Sequence, residues 1–220
     1  MIRVGTRKSP LAMAQTRLAV RLLKEATGIE AEIVPVTSQG DVNRVAPIHR
    51  IGRPGAFTHE LEDAILDGRI DAAVHSLKDM PVQQPPEAPI AAVLPRGDVR
   101  DALIVHRDWH DASQTGLPLK PGARVGTSAP RRQAQLLAAA PEAIPVDVRG
   151  NVETRLRLVA DGLLDALLMA EAPFGRVELP LPGHLLHVPL PADAFPGSPG
   201  QGAIAIQARA ESEAFRAFRH

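Results

Sequence analysis

The 220-residue sequence contains no cysteine, which excludes disulfide bonds, thiol nucleophiles and cysteine-ligated metals. No apolar run is long enough to cross a bilayer, so no membrane partner is expected. The opening Met1-Ile2-Arg3-Val4 has no signal-peptide layout, and a cytoplasmic location is expected. An excess of either charge is missing too, since Lys+Arg and Asp+Glu both total 25. Without a global basic field no nucleic-acid partner is expected, and any affinity for anions has to come from local arginines. There is no Walker-type loop, and Gly150-Asn151 is not a dinucleotide fingerprint. No His/Asp/Glu spacing resembles a zinc site, so no metal is expected.

What is present suits a soluble α/β protein. Hydrophobic residues make up 45% and charged residues 23%, and the length fits one large or two small domains. Aromatics are scarce, at 3%, while 21 prolines suggest many fixed turns, a trait compatible with thermostability.

Ile2 to Gly5 reads as a short strand. A helix from about Pro10 to Thr27 follows, with Ser9 as N-cap, Pro10 in the first turn and Gly28 as stop. Glu30 to Val36 alternates as a second strand, and strand, helix, strand at this spacing predicts a parallel sheet. Thr37 to Ala56 carries Arg44, Arg50 and Arg53 among glycines. It is expected to be a mobile loop near a site, with a solvated surface loop equally weighted. Phe57 to Leu66 reads as a helix, Ile70 to Val74 as a buried strand, and Ile90 to Leu94 as another.

From Asp98 the pattern restarts. Strands are expected at Asp101–Val105, Val125–Ser128, Ile144–Val148 and Ala166–Ala170, with helices near Arg131–Ala139 and Asn151–Ala160. The expected fold is two α/β domains with a hinged cleft. Residues 1–94 and 195–210 form the first domain, 98–190 the second, and 211–220 a helical tail.

The chemistry gathers where strands end, since ligands of open α/β sheets bind outside those carboxyl ends. The loop His75-Ser76-Leu77-Lys78-Asp79-Met80-Pro81 carries an imidazole, a hydroxyl, an ammonium and a carboxylate. Taken alone it reads as an ordinary strand exit with solvated charges. Three other exits, Thr6-Arg7-Lys8-Ser9, Thr127-Ser128-Ala129-Pro130-Arg131-Arg132 and Arg149-Gly150-Asn151-Val152-Glu153-Thr154-Arg155, lead into helices. Each puts hydroxyls, amide N–H groups and guanidinium groups at a helix N-terminus, which favours anions. Arginine there is electrostatically misplaced for the helix itself, so these arginines are expected to answer to a ligand with several carboxylates or phosphates. Asp79 then stands out as a carboxylate among anion-seeking walls, able to steady a cation developing on the substrate or to orient a donor N–H. His75 reads as a hydrogen-bonded strand-end histidine rather than a metal ligand.

These motifs, together with Gly200-Gln201-Gly202-Ala203, closely resemble hydroxymethylbilane synthase, also called porphobilinogen deaminase. The match runs in order over nearly the whole chain. The resemblance implies two domains like those of type II periplasmic binding proteins. It also implies a transferase of haem biosynthesis that condenses four porphobilinogen molecules head to tail, releasing ammonia, into a linear tetrapyrrole. By motif position Asp79 is the catalytic carboxylate. Arg7, Ser9, Lys78, Ser128, Arg131, Arg132, Arg149, Arg155 and Gln201 hold the acetate and propionate groups of the pyrroles. Arg50, Arg53 and Phe57 fall in the lid loop, where the family usually has lysines and where Pro54 would stiffen this chain.

The larger departure concerns the cofactor. The family primes synthesis on a dipyrromethane joined by a thioether to a cysteine in a third, smaller domain. Here no cysteine exists, and the sequence stops where that domain is expected to start. Three readings follow: an enzyme whose third domain is absent or on a separate polypeptide, a non-catalytic binding protein for porphobilinogen or another polycarboxylate, or an enzyme starting from free porphobilinogen or a non-covalent primer. Retention of Asp79 favours an enzymatic ancestry.

Overall fold

Ser9 and Pro10 start the first helix as their chemistry dictates: the Ser9 hydroxyl accepts the Ala12 N–H at 3.3 Å, and Pro10 occupies the first turn. Gly28 ends it in the left-handed region, with φ 72°, and returns its N–H to the Lys24 carbonyl. The structure is a computed structural model and describes residues 1–37 and 58–219. The lid-loop positions Arg50, Arg53 and Phe57 lie outside the described residues.

In chain order the elements are β1 Ile2–Arg7, α1 Pro10–Thr27, β2 Ala31–Val36, α2 His59–Leu66, β3 Ala72–Ser76 and β4 Ile90–Val93. Then come β5 Asp101–His106, β6 Arg124–Gly126, α3 Pro130–Ala139, β7 Ile144–Val146, α4 Val152–Ala160, β8 Ala166–Ala170 and β9 Leu185–Pro189. β10 Ile204–Ala208 and α5 Glu213–Phe218 complete the chain. No helix among the described residues is long and apolar enough to cross a membrane.

The chain divides into two units, Met1–Gly97 with Gly200–His220, and Asp98–Pro199. Each contains a five-stranded sheet, ordered β2-β1-β3-β10-β4 in the first and β7-β6-β8-β5-β9 in the second. In the first, β1 pairs parallel with β2 and β3, while β10 runs antiparallel between β3 and β4. In the second, β6 pairs parallel with β7 and β8, while β5 runs antiparallel between β8 and β9. The plan is the same. The antiparallel strand is supplied from the far end of the chain in the first unit and from the near end in the second.

One face of the first sheet buries Ile2, Val4, Ala72, Val74, Ile204 and Ile206 against Ala19 and Leu23 of α1. Each large aliphatic side chain taken from water contributes about 1.5–3 kcal/mol. The second unit packs Leu103, Val105, Val125 and Leu168 with Leu136 of α3.

Three boundaries differ from expectation. Phe195 is 3% exposed within the second unit's core, so the return to the first unit falls at Gly200 rather than at 195. The expected tail belongs to the first unit, because Ala214, Ala217 and Phe218 form one apolar stripe of α5 that packs on the core with Ile2 and Ile206. β3 runs on through His75 and Ser76, which pair with Ala205 and Ile204 of β10, so the expected loop begins at Leu77. The two crossings are clasped within the first unit: the Gly97 N–H donates to the Gly202 carbonyl at 2.9 Å, and Arg96 Nε to the Gln201 carbonyl at 2.8 Å.

Candidate functional site

In the first unit the carboxyl ends of β1 and β3 lie side by side. Their parallel register pairs Gly5 with Ala73, and carried two residues on it sets Arg7 beside His75. Thr6 is fully buried, Arg7 is half-buried, and Ser9 spends its hydroxyl on capping α1. Beyond β3, Leu77–Asp79 form a single 3-10 turn closed by the Met80 N–H to the Leu77 carbonyl at 3.2 Å. That turn exposes Asp79 and leaves Lys78 half-buried.

The Gly200 segment supports the turn from behind. The Leu77 N–H donates to the Ala203 carbonyl at 3.0 Å. Gly200 has φ 72°, and a Cβ there would stand 3.0 Å from Leu77 Cγ and 3.2 Å from the Lys78 nitrogen, so glycine is required on both counts. Gln201 is fully buried, so its side chain is not offered at the surface.

His75 is 5% exposed, and its pKa is lowered to about 4, chiefly because burial penalises the imidazolium. The Gln207 side chain opposes that shift, and the Arg7 charge adds to it. The ring is therefore neutral at pH 7. Gln207 is itself buried, donating to the Ala88 carbonyl at 2.8 Å and approaching Glu62 at 3.4 Å.

Two residues that the motif reading did not include stand at the same strand ends. Gln15, 4% exposed on α1, lies with its Nε2 3.0 Å from the Ser76 hydroxyl. A buried glutamine on an apolar helix stripe was the available signal. In the second unit Arg176 follows the 3-10 turn Ala172–Gly175 beyond β8, and burial lowers the pKa of its half-buried guanidinium. Its signal was an arginine just past a wholly buried strand.

The second unit gathers the other arginines. Ser128 binds the neighbouring exit loop: its hydroxyl donates to the Val148 carbonyl and accepts the Val148 N–H at 2.9 Å. Arg131 and Arg132, in the first turn of α3, converge on Asp101, a fully buried carboxylate at the start of β5. Arg131 Nη1 lies 2.7 Å from Asp101 Oδ2, and Arg132 Nη2 lies 2.7 Å from Oδ1. Arg132 is 8% exposed, whereas the Arg131 side chain keeps 27%. The misplaced charge at this helix start thus has an internal answer that the sequence reading did not foresee.

The exit of β7 is different. Gly150 turns the chain with φ 104°, Asn151 caps α4 by accepting the Thr154 N–H at 2.9 Å, and Arg155 Nε donates to the Gly150 carbonyl at 2.9 Å. Arg149 has its Nη2 buried with no hydrogen-bond partner among the described residues. A buried charged donor left unsatisfied costs about 1–3 kcal/mol or more, and an anionic ligand would remove that cost.

A cavity of about 420 Å³ lined by Met1, Arg3, Asp71 and Arg209 includes none of these side chains. Among the described residues no group of three or more His, Cys, Asp or Glu is placed to hold a metal ion.

Residues 2–217 match the family described as porphobilinogen deaminase, dipyrromethane cofactor binding domain. The porphobilinogen deaminase of Acidithiobacillus ferrooxidans is 43% identical over 216 residues, covering 98% of this chain and 68% of the relative. That of Caulobacter vibrioides is 42% identical over 221 residues, covering 96% and 66%. The chain thus spans about two thirds of the length of these relatives. Among solved structures, the BenM effector binding domain with its effector benzoate superposes with a TM-score of 0.57 at 19% identity, covering 99% of this chain and 87% of that one. A periplasmic substrate-binding protein of an ABC transporter from Coxiella burnetii gives 0.55 at 16%, covering 100% and 90%. At such identities these two show the fold alone, that of two α/β domains of the type II periplasmic-binding-protein kind.

Proposed function

This chain belongs to the porphobilinogen deaminase family, and from that premise we propose that it binds porphobilinogen and supports its head-to-tail condensation into a linear tetrapyrrole. The observation that carries the reading is the placement of Asp79, an exposed carboxylate on a rigidly backed turn at a strand end beside Arg7 and the Gln15–Ser76 pair.

In each step the bond from the aminomethyl carbon to nitrogen breaks and ammonia departs, leaving an electron-poor pyrrole. A carbon–carbon bond then forms to the free ring carbon of the next pyrrole, which loses its proton. Asp79 steadies the positive charge and the pyrrole N–H while that charge exists. A charge about 4 Å from a carboxylate gains about 4 kcal/mol at an effective dielectric near 20, equivalent to about a thousandfold in rate. Arg131, Arg149 and Arg155 hold the acetate and propionate groups, and the unsatisfied Nη2 of Arg149 supports this assignment.

The same residues fit the carboxylates of a dipyrromethane, which when bound supplies the starting ring carbon for chain growth. The thioether is another matter: the 220 residues offer no thiol to form it. Attachment by the family's route therefore needs a cysteine from outside them, such as a separate third-domain polypeptide. The Arg149 Nη2 left without an acceptor equally suits a second reading, a binding protein that keeps the substrate site without turnover.

Incubation with porphobilinogen, with ammonia and bilane measured, separates the two. Turnover by this chain, alone or after addition of a cysteine-bearing third-domain polypeptide, supports the enzyme. Tight binding without turnover in both cases leaves the binding protein. No binding at all would sink both.

A further inference from the structure

We infer that Asp101 is a positioning residue, which fixes one edge of the Arg131 guanidinium and leaves the other edge to grip a ligand carboxylate. The inference deepens the proposed function, since it takes porphobilinogen as the ligand.

Asp101 is fully buried, and two guanidinium groups answer it, one at each oxygen, both at 2.7 Å. Those two arginines are not equivalent. Arg132, 8% exposed, lies buried against Asp101 as its counter-charge. Arg131 Nη1 donates its two N–H groups to Gln135 Oε1 at 2.7 Å and to the Pro196 carbonyl at 2.6 Å, and it also lies in ion-pair contact with Asp101 Oδ2 at 2.7 Å. Among the described residues, its Nε and Nη2 make no hydrogen bond or ion pair. A guanidinium is planar, so pinning Nη1 orients the whole group. The Nε–Nη2 edge that remains is the fork that matches a carboxylate with two parallel hydrogen bonds. Gln135 lies one helical turn from Arg131 on α3, and Pro196 precedes the return to the first unit, so three separate segments of the second unit converge on one nitrogen. Holding the group beforehand spares the ligand the cost of ordering a long side chain.

The charge balance makes the idea testable by sign. Asp101 with Arg131 and Arg132 carries a net charge of one positive unit. Asp101→Asn raises it to two. If attraction alone governed binding, that variant would hold an anionic ligand more tightly. If Asp101 positions Arg131, the variant holds it more weakly.

The full chain and Asp101→Asn would be compared for porphobilinogen affinity by calorimetry, with circular dichroism to establish folding. About tenfold weaker binding by a folded variant is expected, and equal or tighter binding overturns the inference. Should Asp101→Asn fail to fold, Gln135→Leu removes one acceptor from Nη1 without altering charge. About threefold weaker binding is expected of it, and unchanged binding overturns the inference. A ligand-free measurement keeps the two proposals apart. In the wild type, nitrogen-15 spectra of the arginine side chains should show restricted rotation about the Arg131 Cζ–Nη1 bond, lost in Gln135→Leu. Free rotation in the wild type overturns the positioning role. Restricted rotation without any affinity for porphobilinogen overturns the proposed function instead.

Discussion

Arg3 meets Asp71 in a forked ion pair, with Nη2 2.8 Å from Oδ1 and Nε 3.1 Å from Oδ2, while the Arg3 backbone N–H also donates to Oδ2 at 2.8 Å. The second unit repeats the arrangement in Arg124 and Asp165, at 2.8, 3.1 and 2.7 Å. In both, the guanidinium also reaches a glycine carbonyl, Gly68 or Gly162. Each pair ties the start of one parallel strand to the segment entering its neighbour. The common device accompanies the common strand order of the two sheets.

Asp165 is 3% exposed, and Asp165→Ala would leave the Arg124 N–H and guanidinium without their acceptor. Arg124 is 46% exposed, so water recovers part of the loss. The expected destabilisation is about 2 kcal/mol, below the usual 3–5 for a fully buried pair. Trp109, the single tryptophan, packs on the core of the second unit. Its fluorescence during urea unfolding is the measurement, and an unchanged midpoint would refute the assignment.

His75 makes the first unit sensitive to mild acid. Its folded pKa of about 4 lies below the ordinary 6.5 because burial disfavours the charged ring. As pH falls below about 6.5 the unfolded chain takes up a proton that the folded one refuses, so stability is lost from there down to about 4. The loss amounts to about 3 kcal/mol at about 1.4 kcal/mol per pKa unit. Asp71 and Asp165, whose carboxyls are held below their usual range despite burial by the hydrogen bonds of Arg3 and Arg124, keep their stabilisation through this window. They lose it only at lower pH. Urea titrations at pH 7.5 and 4.5 should show a large difference for the wild type and a much smaller one for His75→Gln.

Asp79→Asn keeps the shape of the side chain and removes its charge. Porphobilinogen affinity is expected to change by no more than about threefold, with turnover reduced by about a thousandfold, the loss equivalent to about 4 kcal/mol of electrostatic stabilisation. Calorimetry and ammonia release measure the two. A collapse of binding would mean instead that Asp79 organises the neighbouring cations.

Arg149→Met tests whether the second unit carries an ionic group it keeps for a ligand. Because the Arg149 Nη2 is buried without an acceptor, its removal should leave ligand-free stability unchanged or raise it by about 1 kcal/mol. Affinity for porphobilinogen should fall about tenfold or more. Thermal melting with and without ligand reads both, and a large loss of ligand-free stability would show that Arg149 serves the fold.

Much of the scaffold was legible. The run from Ser9 and Pro10 to Gly28 bounded α1 by local chemistry alone, and the unbroken apolar run Ala166–Ala170 is β8. Other elements depended on partners far along the chain. No local pattern marks β9, because Leu185–Pro189 shows little alternation and, among the described residues, pairs only with β5, about 80 residues earlier. His75 and Ser76 look like loop residues until β10 pairs with them. The site divides the same way. A carboxylate at a strand end among basic exits could be seen as Asp79, whereas the commitment of Arg132 to Asp101 and of Ser128 to Val148 is tertiary and leaves no local mark.

The clasp between Gly97 and Gly202 bears on how the protein is made. β10 lies between β3 and β4 and, among the described residues, is the only strand with which β4 pairs, yet it is translated after the whole of the second unit. A ribosome delivering this chain from the N-terminus therefore completes the inserted unit while the first sheet still lacks a middle strand. Long-range pairing is slow to form, and the first unit waits for a strand that follows the whole of the second.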